Sequence, residues 1–272
     1  MTKTIDPVFS SEVLRAPELA CDSLDIDTIA QSLHGLKGEV DKNPQTAAII
    51  LAGGTGERFG KEGGKQLVEI AGKPILTWSA EAFDAVGDIG LIVIVCPEDR
   101  CDEYLKRAID PFPFVTPVVV APSGPSRQES AFSGLEFVPD DYEYVILHDG
   151  ARPLVSEAVI TEAVTTAAEY GAAAPVVPVK DSIKRIEDGN IAADVARNTL
   201  AAVQTPQVFR KDLLRRALTS AAERGYSFTD DCAAVESLGT IVKATHGSYQ
   251  NIKITTPEDI LVAEALLTRE DK

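Results

Sequence analysis

Six apolar residues, Ala47–Ala52, run directly into Gly53, Gly54 and Gly56, and the cations Arg58 and Lys65 follow shortly after. A branched, uninterrupted apolar run bounded by glycine predicts a strand buried on both faces of a parallel sheet. The glycines permit a sharp turn and bring bare backbone N–H groups close to a ligand. Arg58 offers a planar fork and Lys65 a mobile point charge, and both suit phosphate oxygens. Together they predict a nucleoside triphosphate at the turn, cradled by the backbone of Ala52, Gly53, Gly54 and Gly56.

Two commoner phosphate motifs do not fit. A dinucleotide fold wants G-x-G-x-x-G and an acidic residue about 20 positions on. Here Gly54-Thr55-Gly56 is followed by Glu57-Arg58-Phe59, so the third glycine is missing. A Walker loop wants G-x-x-x-x-G-K-S/T, but Phe59 stands at its first glycine and Gln66 follows Lys65. Read alone, the stretch also fits a glycine turn that merely joins strand to helix.

Charge sharpens the choice. The 272-residue chain is long enough for one sizeable core with appendages, and its net charge is −16. That balance argues against nucleic acid or an anionic membrane as partner, since either would need a broad basic surface. An acidic protein that binds a triphosphate must gather its few cations locally. The four cysteines (Cys21, Cys96, Cys101, Cys232) form no C-x-x-C pair and there are only three histidines, so zinc ligation is not expected. With no basic-then-apolar leader and no apolar run near about 18 residues, a cytoplasmic enzyme is expected.

Residues 1–44 read as an N-terminal extension, with a short amphipathic helix expected over Ser23–Leu36; residues 45–272 read as the catalytic domain. From Ala47 onward strands alternate with helices. Helices are predicted over Pro74–Val86, Glu98–Ile109, Ser126–Val138 and Ser156–Tyr170. Between them lie strands Gly90–Val95, Pro117–Val120 and Tyr144–Leu147, the last running into His148-Asp149, with Ala172–Val177 as a further strand. This rhythm predicts an α/β fold with a doubly wound, mainly parallel sheet and ligands at the carboxyl ends of its strands. Gly53–Lys65 and Asp149–Arg152 then share one rim. Residues 180–207 break the rhythm: short alternating runs flank the turn Glu187-Asp188-Gly189-Asn190, which predicts a β-arm leaving the sheet. Such an arm must bury its faces, and a second subunit is the expected place. Helix Lys211–Arg224, a helix begun at Thr229-Asp230-Asp231, strand Ile241–Ala244 and a last helix from Pro257 complete the chain.

Several motifs occur in a telling order: LAGGTGERFG…KQL (Leu51–Leu67), SGPSRQESAFSGL (Ser123–Leu135), HDGARPLV (His148–Val155), DSIKR (Asp181–Arg185), QTPQVF (Gln204–Phe209) and NIKITTPEDI (Asn251–Ile260). Over essentially Ala47–Glu270 they resemble the 2-C-methyl-D-erythritol 4-phosphate cytidylyltransferases of the non-mevalonate isoprenoid pathway. The resemblance implies a nucleotide-diphospho-sugar transferase-like fold, CTP and a sugar-alcohol phosphate as substrates, Mg²⁺ as cofactor and a homodimer joined through the arm. It also implies roles. Arg58 and Lys65 resemble the pair that stabilises the five-coordinate phosphorus. Lys253 and Arg197 resemble the residues that hold the sugar phosphate, with Arg197 crossing from the partner subunit. Asp149 and Arg152 resemble the substrate-side pair, with Asp149 near any Mg²⁺ carried by the CTP phosphates. Gly124, Arg127 and Ser130 resemble the cytosine side, and Ser182 a contact at the base of the arm.

The chain also departs from the family pattern. It has LAGG for PAAG, Gly64 for the proline before the lysine, Gly150 for an alanine, Ser182 for threonine, Ala201 for a common aromatic and Ser123 for a glycine. Ribitol-5-phosphate cytidylyltransferases share most of the motifs, so the two sugar-alcohol phosphates stay open at this point. A non-catalytic nucleotide-binding protein of the same fold is the alternative from another class. Plainer readings also stand beside the chemical ones. His148 suits a satisfied structural imidazole, Asp230 and Asp231 a helix start capped by Asp230 as much as a ligand pair, Arg152 a loop anchor through carboxylates, and Lys184 and Arg185 solvated charges on the arm.

Overall fold

A computed structural model describes residues 46–54 and 64–270. The N-terminal extension with its expected helix, and Gly56 and Arg58, lie outside the described residues. Strand β1 (Thr46–Leu51) precedes a small hairpin, β2 (Glu69–Ile70) and β3 (Lys73–Pro74), and then α1 (Ile75–Asp84) and β4 (Ile89–Cys96). Next come α2 (Cys101–Tyr104), β5 (Val118–Pro122), α3 (Arg127–Glu136), β6 (Tyr144–Asp149), α4 (Glu157–Tyr170) and β7 (Ala172–Pro178). The arm is β8 (Ile183–Glu187) and β9 (Asn190–Val195). It is followed by β10 (Ala201–Val203), β11 (Gln207–Arg210), α5 (Lys211–Glu223), α6 (Asp231–Glu236), β12 (Lys243–His246) and α7 (Pro257–Glu270).

Among the described residues the main sheet has eight strands in the order β10-β7-β11-β6-β1-β4-β5, with β12 on the free edge of β7. Strands β1, β4, β5 and β6 run parallel, as the alternation of elements predicts. Because β1 lies between β4 and β6, chain order reverses at β1, and that reversal opens a crevice at the carboxyl ends of β1 and β6. The composition of β1 follows from its place. Ala48 and Ile50 face the layer of α1 and α4, Ala47 and Ile49 face that of α3 and α5, and all four are fully buried. A strand sandwiched this way has no solvent face and cannot alternate.

Helix caps match the sequence. The Ser156 hydroxyl accepts from Val159 N–H, and Gly171 closes α4 at φ 86°. Three expectations need correcting. Glu98–Ile109 is not one regular helix but a 3₁₀ turn (Glu98–Arg100), the short α2 and a π turn (Leu105–Ile109). The Thr77 hydroxyl donates to Ala108 O at 2.7 Å, and the wider turn lets Tyr104, Ala108 and Ile109 all point inward. Residues 201–210 carry two short strands antiparallel to β7 and β6, which local periodicity over so few residues does not reveal. The edge strand β12 lies at Lys243–His246 rather than Ile241–Ala244, and Ile241 is left exposed.

The arm is a separate two-stranded sheet turning through Asp188 and Gly189, both at positive φ. Such a turn matches the strand twist, which is why Asp-Gly marks it in the sequence. Its second strand runs over Asn190–Val195, so Arg197 falls just beyond it in a 3₁₀ turn, Arg197–Thr199. Ile186 and Ile191 pair across the arm, 59% and 71% exposed.

Candidate active site

A cavity of about 440 Å³ occupies the crevice, within the roughly 300–1,000 Å³ typical of small-molecule sites. Three strand ends, one loop and one 3₁₀ turn build it. From β1 come Leu51, Gly53 and Gly54; from the segment after β5 come Gly124, Ser126, Arg127 and Ser130; from the end of β6 come Asp149 and Ala151. Lys253 and Thr255 close one side, and Lys65 enters from the 3₁₀ turn Lys65–Leu67.

Glycine is required where two walls touch. A Cβ on Gly53 would lie 2.4 Å from Ser123 Cβ, and one on Gly124 would lie 2.5 Å from Glu129 Cβ. Behind Gly124, the buried Ser130 hydroxyl accepts from Gly124 N–H at 3.1 Å and donates to Ser126 O at 2.8 Å, which fixes the loop. Gly64 sits at φ 75°, with a notional Cβ only 2.5 Å from the Tyr104 hydroxyl. Proline, whose ring holds φ near −65°, cannot take that conformation.

Asp149 is the electrostatic centre. Its Oδ2 meets Lys253 Nζ at 3.0 Å and accepts from Arg152 Nε at 3.2 Å, while Oδ1 lies 3.7 Å from Arg127 Nε. Burial alone would raise its pKa, but Lys253, Arg127 and Arg152 outweigh burial and hold the carboxyl well below the usual range. Arg127 also binds Asp231 through Nη1. Asp231 is buried, and burial raises its pKa against the pull of Arg127. Arg152 donates as well to Asn251 O at 2.8 Å, so it anchors its loop and serves Asp149 at once.

The adjacent His148 is fully buried, and burial pushes its pKa down to about 4. Its Nε2 lies 3.2 Å from Arg152 O, and its Nδ1 lies 3.1 Å from the Thr205 hydroxyl, which accepts from Asp149 N–H at 3.0 Å. One arrangement satisfies every group: Thr205 donates to Nδ1 and Nε2–H donates to Arg152 O. His148 is therefore a neutral structural imidazole beneath the site.

The segment Gln204–Gln207 ties these walls together. Gln204 donates to Ser248 O at 2.8 Å, and Asn251 Nδ2 donates to Thr205 O at 2.9 Å, which shapes the loop carrying Lys253. Thr205 holds the end of β6. Gln207 Oε1 accepts from Asp231 N–H and Cys232 N–H, both at 3.2 Å, which seats the start of α6.

A family model for 2-C-methyl-D-erythritol 4-phosphate cytidylyltransferase matches residues 46–269. The chain belongs to that family. Curated relatives of that name include one from Desulforamulus reducens, 45% identical over 228 residues (82% of this chain, 96% of the relative). Another, from Caldanaerobacter subterraneus subsp. tengcongensis, is 42% identical over 224 residues, covering 82% of this chain and 99% of the relative. Among solved structures, the 4-diphosphocytidyl-2C-methyl-D-erythritol synthase from Anaerococcus prevotii superposes with TM-score 0.73 at 28% identity, covering 83% of this chain and 97% of that one. The 2-C-methyl-D-erythritol 4-phosphate cytidylyltransferase from Thermus thermophilus gives 0.67 at 31% identity, covering 81% and 97%.

In this family member, Gly53, Gly54, Gly124, Arg127, Ser130, Asp149, Lys65 and Lys253 all line one cavity, with Arg152 bound to Asp149 at its edge. Ala52 is fully buried and does not line it. Ser182 and Arg197 are not brought there. Both are exposed on the arm segment, and Arg197 donates to Lys180 O at 2.5 Å. The sequence reads Asp231, with Asp230, as a helix start as much as a ligand pair, and assigns no individual role to Gln207 or Thr205. The motifs QTPQVF and TDD were visible, but their partners lie far away in the chain.

Proposed function

We propose that this chain transfers CMP from CTP to 2-C-methyl-D-erythritol 4-phosphate, releasing pyrophosphate, on the way to isoprenoid precursors. What carries the reading is the gathering of Lys65, Arg127, Arg152 and Lys253 at one crevice of a protein of net charge −16, beside Gly53 and Gly54. An oxygen of the sugar phosphate attacks the α-phosphorus of CTP. The new P–O bond forms as the bond to the β-phosphate oxygen breaks, and the electron pair leaves with pyrophosphate. Two anions must meet, so the work is positioning and charge neutralisation rather than strong-base chemistry. Lys65 lies on the nucleotide side, and in this reading it and Arg58 meet the charge growing at phosphorus. Lys253, steered by Asp149, receives the sugar phosphate. Gly124 and the start of α3 face the cytosine.

Among the described residues no three His, Cys, Asp or Glu side chains converge as a metal cage. Asp149 lines the cavity but already faces Lys253, Arg152 and Arg127, so a Mg²⁺ here would be held mainly by triphosphate oxygens and would neutralise phosphate charge when bound. The exposed apolar pair on the arm and the distance of Arg197 from its own cavity support a twofold dimer, in which Arg197 serves the partner subunit's sugar phosphate.

The test is a pyrophosphate-release panel of CTP, UTP and GTP crossed with the methylerythritol and ribitol phosphates. Release with CTP and the methylerythritol phosphate alone is expected. A preference for ribitol phosphate would move the substrate assignment, and no release with any pair would leave a binding protein.

A further inference from the structure

The side chain of Asp231 has a task that its place at a helix start does not explain. Capping of α6 is done by its neighbours: Asp230 Oδ1 accepts from Ala233 N–H at 2.9 Å, and Gln207 takes the N–H groups of Asp231 and Cys232. Gln207 Nε2 also donates to Asp230 Oδ2 at 3.3 Å. The Asp231 carboxylate is thus free of the cap. It turns to Arg127, with its side chain 2% exposed, and does not itself line the cavity.

Arg127 stands between two carboxylates, in close contact with Asp231 and at 3.7 Å from Asp149. Asp149 needs its charge elsewhere, for Lys253 and Arg152. Without Asp231 the guanidinium fork would close on Asp149, where a bidentate pairing is the stronger arrangement. That would withdraw Arg127 from the nucleotide wall and compete with Lys253. Resting on the cytidylyl-transfer reading, we propose that Asp231 is a positioning residue, holding the Arg127 guanidinium at the nucleotide wall and off Asp149.

A double-mutant cycle on the full-length enzyme, read by pyrophosphate release, tests it. Asp231→Asn is expected to raise KM for CTP about tenfold while kcat and KM for the sugar phosphate each move less than about threefold. Asp231→Glu, which keeps the charge, should stay within about threefold of wild type in KM for CTP. Added to Arg127→Met, Asp231→Asn should change KM for CTP by less than about twofold, because its partner is already gone. Multiplying fold-changes in the double variant would overturn the proposal. So would a Glu variant as weak as the Asn one, or an Asp231→Asn protein that fails to fold and so marks the carboxylate as a folding group. Wild-type protein that releases no pyrophosphate from CTP would instead overturn the functional reading.

Discussion

Acid should weaken this protein from about pH 6.5 downward, and His148 is the reason. The imidazole is fully buried and ordinarily titrates near 6.5, but here it does so at about 4, because burial penalises its charged form. Asp149 favours the proton, whereas Arg152 and Lys253 oppose it. The native state therefore declines a proton that the unfolded chain accepts. Stability from this group is complete above about pH 6.5 and falls as pH drops towards about 4, by about 1.4 kcal/mol per unit. Between pH 8 and pH 5 the loss is about 2 kcal/mol, a large share of a typical domain's 5–15 kcal/mol. Asp149 stays ionised across this window, since its pKa is depressed. Urea unfolding at half-unit pH steps and one protein concentration, on wild type and His148→Gln, measures the effect. The variant should be less stable at pH 8 but should lose most of the slope between pH 6.5 and pH 5. A wild-type stability flat over that window, or a slope that survives the substitution, would refute the claim that a neutral imidazole is locked beneath the site.

Other outcomes follow from the same geometry. Lys65→Ala should lower kcat by about 10²–10³ with an unchanged melting temperature, since the charge it meets develops in the transition state; an unchanged kcat would remove it from the mechanism. Gly124→Ala places a Cβ 2.5 Å from Glu129 Cβ, and overpacking of that kind should cost about 1–3 kcal/mol in urea unfolding and raise KM for CTP; wild-type stability would show that the loop yields freely. Arg197→Ala should raise KM for the sugar phosphate about tenfold and leave that for CTP nearly unchanged, in a protein whose light-scattering mass is two chains. Equal effects on both substrates, or a mass of one chain, would contradict the shared site.

Much of the sheet could be read from the sequence because β1, β4 and β6 are apolar on both faces, a pattern that local residues alone impose. Asp149, Gly53 and Gly54 were legible for a related reason: strand ends at a reversal of chain order collect ligands, whatever the ligand is. What escaped was nonlocal. Arg127 and Asp231 are 104 positions apart, and nothing around either residue announces the other. Strands β10 and β11 exist because β6 and β7 offer them edges, which periodicity over three or four residues cannot signal. The irregular turns of 98–109 follow from inward packing of Tyr104 rather than from propensity.

Strapping two walls and the start of α6 to the four residues Gln204–Gln207 has a cost in adaptability. The β6 end, the Lys253 loop and the α6 start share one fastening, so a change there cannot retune one substrate pocket and spare the others. New specificities in such a scaffold would have to arise at the cavity's own lining, on residues the strap does not hold, such as Pro125 and Thr255.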